Sequence, residues 1–285
     1  MKIKNVGILY HPRVEITRKK ANEVIGFIKQ QGINAWICSA WEKEKIRDLL
    51  KGTDLVLTVG GDGTILRAVQ SVTPGATPVT GINLGKLGFL TELDADETTA
   101  KLPHLLSGKG WLEERAMLQV ELKSKGKKPR VFHALNDAVV GRGGIARIIR
   151  IEAAVDGQTL TTYRADAVIV ATATGSTGYA LAAGGPVMRP QSRDFLMMPV
   201  APHLCFAHPL VLEENSEVML TLDTYHAATL SIDGHINIPL SDGDRLFLRR
   251  SPNIARFYRI RPRDCFYQNL EDKLKGKQGD SDRKS

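Results

Sequence analysis

The chain has few cysteines and no long apolar run. It holds three cysteines in 285 residues, Cys38, Cys205 and Cys265, and no Cys-x-x-Cys pair. An odd number of distant cysteines argues against a disulfide framework and against a zinc site, and favours a reducing compartment, here the cytoplasm. No apolar run approaches the roughly 18 residues of a membrane span, so we expect no membrane partner.

The chain also lacks the patterns of nucleic-acid binding. Its formal net charge is +8, with basic residues concentrated in 123–130 and 245–263. A solvated hairpin and a solvated strand edge explain these stretches, and the alternative is a field that attracts nucleotides or nucleic acid. Because no zinc finger, helix-turn-helix or aromatic-basic RNA pattern accompanies them, we expect no nucleic-acid partner.

Two styles of hydrophobic pattern divide the chain. Up to about residue 110 short apolar strands alternate with helical spacing, which predicts an α/β domain with a parallel, Rossmann-like sheet over residues 1–110. Strands then dominate residues 111–262, which predicts an all-β, sandwich-like second domain. A C-terminal helix over Phe266–Leu274 and a polar tail complete the expected division, as residues 263–285.

The first glycine-rich motif is Gly60-Gly61-Asp62-Gly63-Thr64, directly after the apolar run 54–59. A strand, a tight glycine turn and a helix N-terminus together form an anion-binding device. An aspartate beside bound phosphate is repulsive unless it takes a proton from a hydroxyl or meets a metal ion. The loop therefore indicates phosphoryl transfer to an alcohol, and the alternative is a purely structural turn.

A second glycine-rich segment follows the predicted strand 167–171. It reads Thr-Ala-Thr-Gly-Ser-Thr-Gly-Tyr over residues 172–179 and continues to Pro186. Hydroxyls and free N–H groups suit the edge of a base or a ribose, and Tyr179 offers a stacking face. The alternative is a helix cap, with Ser176 or Thr177 capping a helix that carries Tyr179.

Taken together, five blocks in one order resemble the NAD kinase family. The blocks cover most of residues 5 to 240, and they are Gly60–Thr64, Gly81–Leu90, Ala134–Asp137, Asp166–Pro186 and Ser231–Gly234. The first block is shared with phosphofructokinases and lipid kinases. The Gly-Ser-Thr-x-Tyr block after an aspartate-bearing strand is much more specific.

The resemblance implies transfer of a phosphoryl group from ATP or polyphosphate to the 2′-hydroxyl of the adenosine ribose of NAD, which gives NADP. The family aspartate of the first block contacts that hydroxyl, so the resemblance assigns catalysis to Asp62. A secondary alcohol is too weak an acid to ionise near neutral pH, and a carboxylate in reach can orient it and take its proton. A divalent cation, Mg²⁺, would bridge the donor phosphates.

The resemblance also implies a set of residues that bind the substrates. They are Gly60, Gly61, Gly63, Thr64, Arg67, Phe89, Asn136, Asp137, Arg147, Arg164, Asp166, Thr174, Ser176, Thr177, Gly178, Tyr179, Ala182 and His235. For the three arginines, solvated surface positions are an equal alternative. The histidines lack the i, i+4 spacing of a helical zinc site, so we expect no metal held by side chains.

Three positions depart from the family pattern. Asp137 stands where the family has a glutamate that holds a ribose, Ala182 where a serine is common, and His208 where an arginine is common. The departures at Asp137 and Ala182 support the alternative of a dinucleotide-binding regulatory protein that has lost turnover, and the retained Asp62 argues against it. A lipid or sugar kinase is the second alternative, but it would not need the block at 166–186. The family further implies small-molecule substrates and a homodimer or homotetramer.

Overall fold

The computed structural model describes residues 2–75, 77–85, 88–143, 148–224, 226–263, 266–268, 270, 271 and 273. The chain divides into two compact units, one of residues 1–114 with 255–285 and one of residues 115–254. The first division lies four residues beyond the predicted boundary at 110. The return of residues 255–285 to the first unit has no counterpart in the predicted boundaries.

The first unit alternates strands and helices. Its elements are β1 (Asn5–Tyr10), α1 (Glu15–Gln30), β2 (Asn34–Ser39), α2 (Lys43–Leu49), β3 (Leu55–Val59), α3 (Asp62–Val72), β4 (Val79–Asn83), β5 (Leu93–Asp94) and α4 (Thr98–Leu106). The strands lie in the order β2-β1-β3-β4, and every pair is parallel. The prediction of an N-terminal α/β domain with a parallel sheet is confirmed.

The core of the first unit explains why its strands read as continuous apolar runs. β3 and β4 are buried at every residue, as expected for strands covered on both faces. α1 buries Ala21, Val24 and Ile28, which share one helical face. Because β3 is central and parallel, its carboxyl end presents the first glycine-rich loop at the edge of the sheet where ligands bind in such folds.

The second unit is made almost entirely of strands. Its elements are β6 (Trp111–Lys123, which begins in the first unit), β7 (Arg130–Ala134), β8 (Asp137–Arg142), β9 (Ile149–Val155), β10 (Gln158–Ala165), β11 (Ala167–Thr172), the 3₁₀ turn Gly175–Thr177, α5 (Tyr179–Ala182), β12 (Phe195–Val200), β13 (Leu210–Leu212), β14 (Glu217–Asp223), β15 (Ala228–Ile232), β16 (Ile236–Leu240) and β17 (Arg245–Arg259, which ends in the first unit). The prediction of a strand-rich second domain is confirmed.

Two antiparallel sheets build the second unit. One has the order β10-β9-β14-β17, and the other has the order β13-β12-β11-β8-β15-β16. Side chains of both sheets meet in one buried cluster, which includes Ile151 and Leu220 of the first and Val140, Val168 and Leu230 of the second. On the opposite face of the second sheet, Ile169, Ala171, Leu196 and Met198 form a second buried cluster with Ala173, Ala180 and Met188, which anchors the second glycine-rich segment on that face.

The structure differs from the predicted strands at one point that matters. The apolar pattern of Val131–Val140 predicts one continuous strand, but β7 ends at Ala134 and β8 begins at Asp137. The prediction was wrong because the Asp233 carboxylate, in the turn between β15 and β16, accepts hydrogen bonds from the backbone N–H groups of residues 135–137.

Of the predicted C-terminal helix, residues 266–268 form a turn, Leu270, Glu271 and Lys273 are helical, and the rest lies outside the described residues.

Within the ranges given above, no helix is long and apolar enough to cross a bilayer.

Candidate functional site

The first glycine-rich loop joins β3 to α3. Gly60 has a φ of +151°, and a Cβ on it would lie 2.5 Å from Thr64 Oγ1, so the position requires glycine. α3 begins at Asp62 without a side-chain cap. Its first N–H groups have no acceptor within the helix and carry partial positive charge, which suits an anion such as phosphate.

The Asp62 carboxylate is oriented by backbone from a second segment of the first unit. Its Oδ2 accepts a hydrogen bond from the Phe89 N–H at 2.9 Å, and its Oδ1 accepts one from the Leu90 N–H at 3.1 Å. A Cβ on Gly88 would lie 2.2 Å from Asp62 Oδ1, so the segment approaches as closely as it does because residue 88 is glycine. Each oxygen keeps a further lone pair for a substrate hydroxyl.

The predicted residue Phe89 thus contacts Asp62 through its main chain. Its half-buried ring lies 5.6 Å from the Lys273 ammonium. The family resemblance implied an aromatic ring beside the substrate at this position, and no pattern in the sequence indicated that the amide of the same residue holds the carboxylate.

Arg67, one turn along α3, lies in a cationic cluster near the loop. Its guanidinium packs on the Trp41 ring at 4.1 Å, and the His11 ring meets Trp41 edge-on at 4.5 Å. Burial, and to a lesser degree the neighbouring Arg13, lowers the pKa of Arg67. His11 Cβ would lie 3.6 Å from a Cβ at Gly60, so the cluster adjoins the glycine loop. His11 and Trp41 were not predicted, since nothing in the sequence links them to the loop.

In the second unit, Asp233 organises the segment between β7 and β8. Its carboxylate accepts hydrogen bonds from the N–H groups of Leu135 at 3.0 Å, Asn136 at 2.7 Å and Asp137 at 3.3 Å. Asp233 has a φ of +48° in the turn between β15 and β16, and Gly234 follows at +68°. This contact interrupts the predicted strand and presents Asn136 and Asp137. The block 231–234 indicated Asp233 as part of a motif without showing this function.

Asp137 is a buried carboxyl with an unusual protonation equilibrium. It is 6% exposed, and burial, followed by the charge of Asp233, raises its pKa from 3.8 to about 7. Asp137 Oδ2 and Asn136 Nδ2 both face the Cα of Gly178, where a Cβ would lie 3.8 Å and 3.7 Å from them. The two side chains and the second glycine-rich segment therefore form one constellation.

The hydroxyls of that segment are used internally. Ser176 Oγ is fully buried, donates to the Ala173 carbonyl at 2.7 Å and accepts from the Met188 N–H at 3.0 Å. Thr177 Oγ1 donates to the Thr174 carbonyl at 3.3 Å. The alternative that Ser176 or Thr177 caps the helix is wrong, because the N-cap of α5 is Gly178 and no side chain caps it. The segment is a tightly bonded turn, with the ring of Tyr179 at its exposed end.

Tyr179, 45% exposed, lines two cavities on the outer face of the second sheet. The first, of about 320 Å³, is bounded by Asn136, Asp137, Val139, Tyr179, Ser231, Asp233 and Gly234. The second, of about 440 Å³, is bounded by Val139, Gly141, Arg142, Gly143, Asp166, Ala167, Tyr179, Val200, Thr229 and Ser231. Because they share Val139, Tyr179 and Ser231, they form one elongated groove.

The remaining predicted residues fall into two groups. Asp166 lines the groove and pairs with Arg142 at 3.1 Å, a residue that the sequence did not indicate. His235 lies beside the groove, with Nδ1 3.0 Å from the Asp233 carbonyl oxygen. Arg164 and Ala182 are exposed and do not belong to the lining of either cavity. Arg147 lies outside the described residues.

A resident metal does not fit the described residues. Across the described ranges no three His, Cys, Asp or Glu side chains lie close enough to hold a metal ion. Each Asp62 oxygen accepts one backbone N–H group and keeps a lone pair, which a substrate hydroxyl needs as its acceptor.

Comparison with known proteins gives matches over most of the chain. The family model described as the ATP-NAD kinase N-terminal domain matches residues 12–110, and the ATP-NAD kinase C-terminal domain matches residues 135–260. An NAD kinase of Dehalococcoides mccartyi is 45% identical over 96% of each chain. An NAD kinase of Chloroflexus aurantiacus is 37% identical over 96% of this chain and 99% of its own.

Two solved structures share the fold. A yeast NADH kinase complexed with NADH superposes with a TM-score of 0.82 and 27% identity, covering 100% of this chain and 89% of its own. An NAD kinase from Archaeoglobus fulgidus in complex with ATP gives a TM-score of 0.78 and 26% identity, covering 95% of this chain and 99% of its own.

Proposed function

The chain belongs to the NAD kinase family and phosphorylates NAD to NADP with ATP, and from this premise we propose how its residues carry the reaction. The observation that supports the proposal most directly is the Asp62 carboxylate. It is the first residue of α3, and two backbone N–H groups orient its oxygens.

Asp62 acts as the general base. The 2′-oxygen of the adenosine ribose forms a bond to the γ-phosphorus, the bond from that phosphorus to the leaving ADP oxygen breaks, and the hydroxyl proton passes to the Asp62 carboxylate. The free lone pairs on Oδ1 and Oδ2 supply the acceptor. Holding the carboxylate in one orientation matters because proton transfer and attack depend on angle and distance.

The N-terminus of α3 binds the phosphates of the donor. The backbone N–H groups of Gly61 and Gly63 offer donors at the positive end of the helix, while the Thr64 N–H donates to the Gly61 carbonyl at 2.9 Å and holds the loop in shape. The Arg67 guanidinium adds a positive charge nearby. The divalent cation, Mg²⁺, arrives with the donor as part of the substrate complex, where its charge offsets that of the phosphates. Polyphosphate presents the same terminal phosphoryl group and is the second candidate donor.

The groove of the second unit binds the dinucleotide. Asn136 and Asp137 offer an amide and a carboxyl to ribose hydroxyls, and Tyr179 offers a ring for stacking on a base. Asp166, held by Arg142, sits farther along the groove and is suited to the donors of a base edge. Thr177 and Gly178 form the wall beside Tyr179, whereas Thr174 and Ser176 hold that wall in shape.

We also infer how the chain is organised as a whole. The first unit, residues 1–114 with 255–285, is the Rossmann-like domain for phosphoryl transfer, and the second unit, residues 115–254, is the sandwich-like domain for NAD, in place of the predicted boundaries at 110 and 262. A homodimer or homotetramer is supported by two exposed apolar side chains that lie two residues apart in the chain, Leu204 (91% exposed) and Phe206. The free thiols of Cys38 and Cys205 fit a cytoplasmic protein.

One assay tests the catalytic role. The protein is incubated with NAD, ATP and Mg²⁺, and NADP is detected with an NADP-specific dehydrogenase. We expect Asp62→Asn to lower kcat by about a thousandfold while NAD binding stays within about tenfold, because the amide cannot accept the substrate proton and its NH2 group faces one of the two backbone N–H donors that orient the carboxylate. An Asp62→Asn variant that keeps more than about a tenth of the kcat contradicts the role of Asp62 as general base.

A further inference from the structure

Three charged side chains of the first unit are buried together. Arg259, Glu92 and Glu113 have side-chain exposures of 7%, 4% and 4%. Arg259 Nε donates to Glu113 Oε2 at 2.9 Å, and Arg259 Nη1 donates to Glu92 Oε2 at 3.2 Å. Burying a charge raises the free energy of the folded state unless the charge is paired. Even a paired buried charge seldom stabilises a core more than apolar residues of the same volume would. The cluster has no part in the reaction as described so far.

The same guanidinium reaches the residue that holds Asp62. Arg259 Nη1 also donates to the Leu90 carbonyl at 2.8 Å. The Leu90 N–H donates in turn to Asp62 Oδ1 at 3.1 Å. Leu90 is therefore bonded on one side to the reactive carboxylate and on the other to the buried cation.

The far end of this chain of contacts is fixed as well. Glu92 Oε1 accepts hydrogen bonds from the N–H groups of Ile260 at 2.8 Å and Arg261 at 2.6 Å. These bonds attach the segment after Leu90 to the end of β17. The guanidinium is thus held between two buried carboxylates, one of which is itself bonded to the backbone.

We propose that Arg259 is a positioning residue for phosphoryl transfer: by fixing Leu90 it holds the Asp62 carboxylate in the orientation that takes the substrate proton. The inference rests on the role proposed for Asp62. The planar fork of arginine serves Glu113, Glu92 and the Leu90 carbonyl at once. Lysine keeps the charge but has a single nitrogen on a flexible stem, so it cannot satisfy all three acceptors in this geometry.

Arg259→Lys is the test, and Arg261→Lys is its matched control. Arg261 lies beside that cluster and is partly exposed: its Nε donates to the Glu92 carbonyl at 2.7 Å, and its Nη2 donates to Glu97 Oε1 and lies 3.5 Å from Asp94 Oδ2. None of these contacts involves Leu90. We expect Arg259→Lys to lower kcat by about tenfold or more, with KM for NAD and ATP within about threefold, and Arg261→Lys to keep kcat within about twofold.

Amide hydrogen exchange gives a readout that needs no turnover. The N–H groups of Phe89 and Leu90 donate to Asp62, so they should exchange faster in Arg259→Lys and at the wild-type rate in Arg261→Lys. If the wild type forms no NADP, the proposed function fails, while these exchange rates still test the link from Arg259 to Asp62.

Two results overturn the proposal. One is wild-type kcat and wild-type exchange at Phe89 and Leu90 in Arg259→Lys. The other is an equal fall of kcat in both lysine variants, which indicates a general loss of structure. If Arg259→Lys does not fold, Glu113→Gln takes its place: it keeps the shape, releases one side of the guanidinium and should accelerate exchange of the same two amides. Unchanged exchange and kcat in that variant also overturn the proposal.

Discussion

Asp62 and Asp137 are carboxylates with opposite surroundings. Asp62 lies at a helix N-terminus, partly exposed, with a backbone N–H on each oxygen. Asp137 is almost fully buried and faces the charge of Asp233, so burial raises its pKa to about 7. One residue type thus serves two purposes, because the environment rather than the side chain determines what a carboxyl does. The Asp62 carboxylate is held in one orientation by backbone hydrogen bonds, whereas the Asp137 carboxyl changes its protonation state near pH 7.

The largest effect beyond loss of Asp62 itself is expected from Gly88→Ala. A Cβ at residue 88 would lie 2.2 Å from Asp62 Oδ1, which forces the carboxylate or the segment to move. We expect kcat to fall by about a hundredfold with little change in KM, since a displacement of about 1 Å is enough for such a loss. Steady-state kinetics with NAD and ATP measure this.

Gly85→Ala is the control for that variant. Gly85 lies in the same segment, and among the described residues other than its chain neighbours no atom lies within 4 Å of where its Cβ would stand. It should keep kcat within about twofold. Equal losses in the two variants would mean that the segment tolerates no side chain at all, and the specific contact with Asp62 would no longer explain the result.

The next effect concerns the pH dependence that Asp137 imposes. Ribose hydroxyls donate more strongly to a carboxylate than to a neutral carboxyl. The kcat/KM for NAD should therefore rise with pH through about 7, the pKa of Asp137. Asp137→Asn keeps the shape without the charge, so it should lower kcat/KM about tenfold at high pH and little at low pH. A rising limb that Asp137→Asn leaves unchanged would assign the titration to another group.

Stability gives an independent check of the same shift. Burial raises the pKa of Asp137 from 3.8 to about 7, so the folded protein binds this proton more tightly than the unfolded chain. Its contribution to the free energy of unfolding therefore declines as pH rises between those two values. Asp137→Asn should remove this decline and melt at least about 3 °C above the wild type at high pH.

These two aspartates also show how far the sequence leads. The loop at Asp62 follows from local pattern, because strand, glycine turn and helix are contiguous. The orientation of the Asp62 carboxylate does not follow from local pattern. It depends on the backbone N–H groups of Phe89 and Leu90, which lie 27 and 28 residues farther along the chain. Asp137 was named from its motif, but the strand break that presents it depends on Asp233, 96 residues on. A motif of contiguous residues can be predicted from the sequence, whereas a contact between residues that lie 27 to 96 positions apart in the chain cannot.

A smaller effect is expected from Tyr179→Ala. The ring is 45% exposed and lines both cavities of the groove. If it stacks on a base of NAD, its loss should raise KM for NAD about tenfold and leave KM for ATP nearly unchanged. Equal changes for both substrates, together with a lower melting temperature, would show that Tyr179 packs its helix rather than the ligand.

The smallest kinetic effect is expected three residues earlier, at Ser176→Ala. Its hydroxyl is fully buried, donates to the Ala173 carbonyl and accepts from the Met188 N–H, so it is committed to the turn that carries Tyr179. Removing it leaves the Met188 N–H without this acceptor, which should lower the free energy of unfolding by about 1–3 kcal/mol. The KM for NAD should stay within about twofold at temperatures where the variant is folded. Denaturant unfolding and steady-state kinetics separate the two quantities. A rise in KM at unchanged stability would contradict this prediction. It would indicate that Ser176 contacts NAD, as its motif implied, and that the turn opens when the dinucleotide binds.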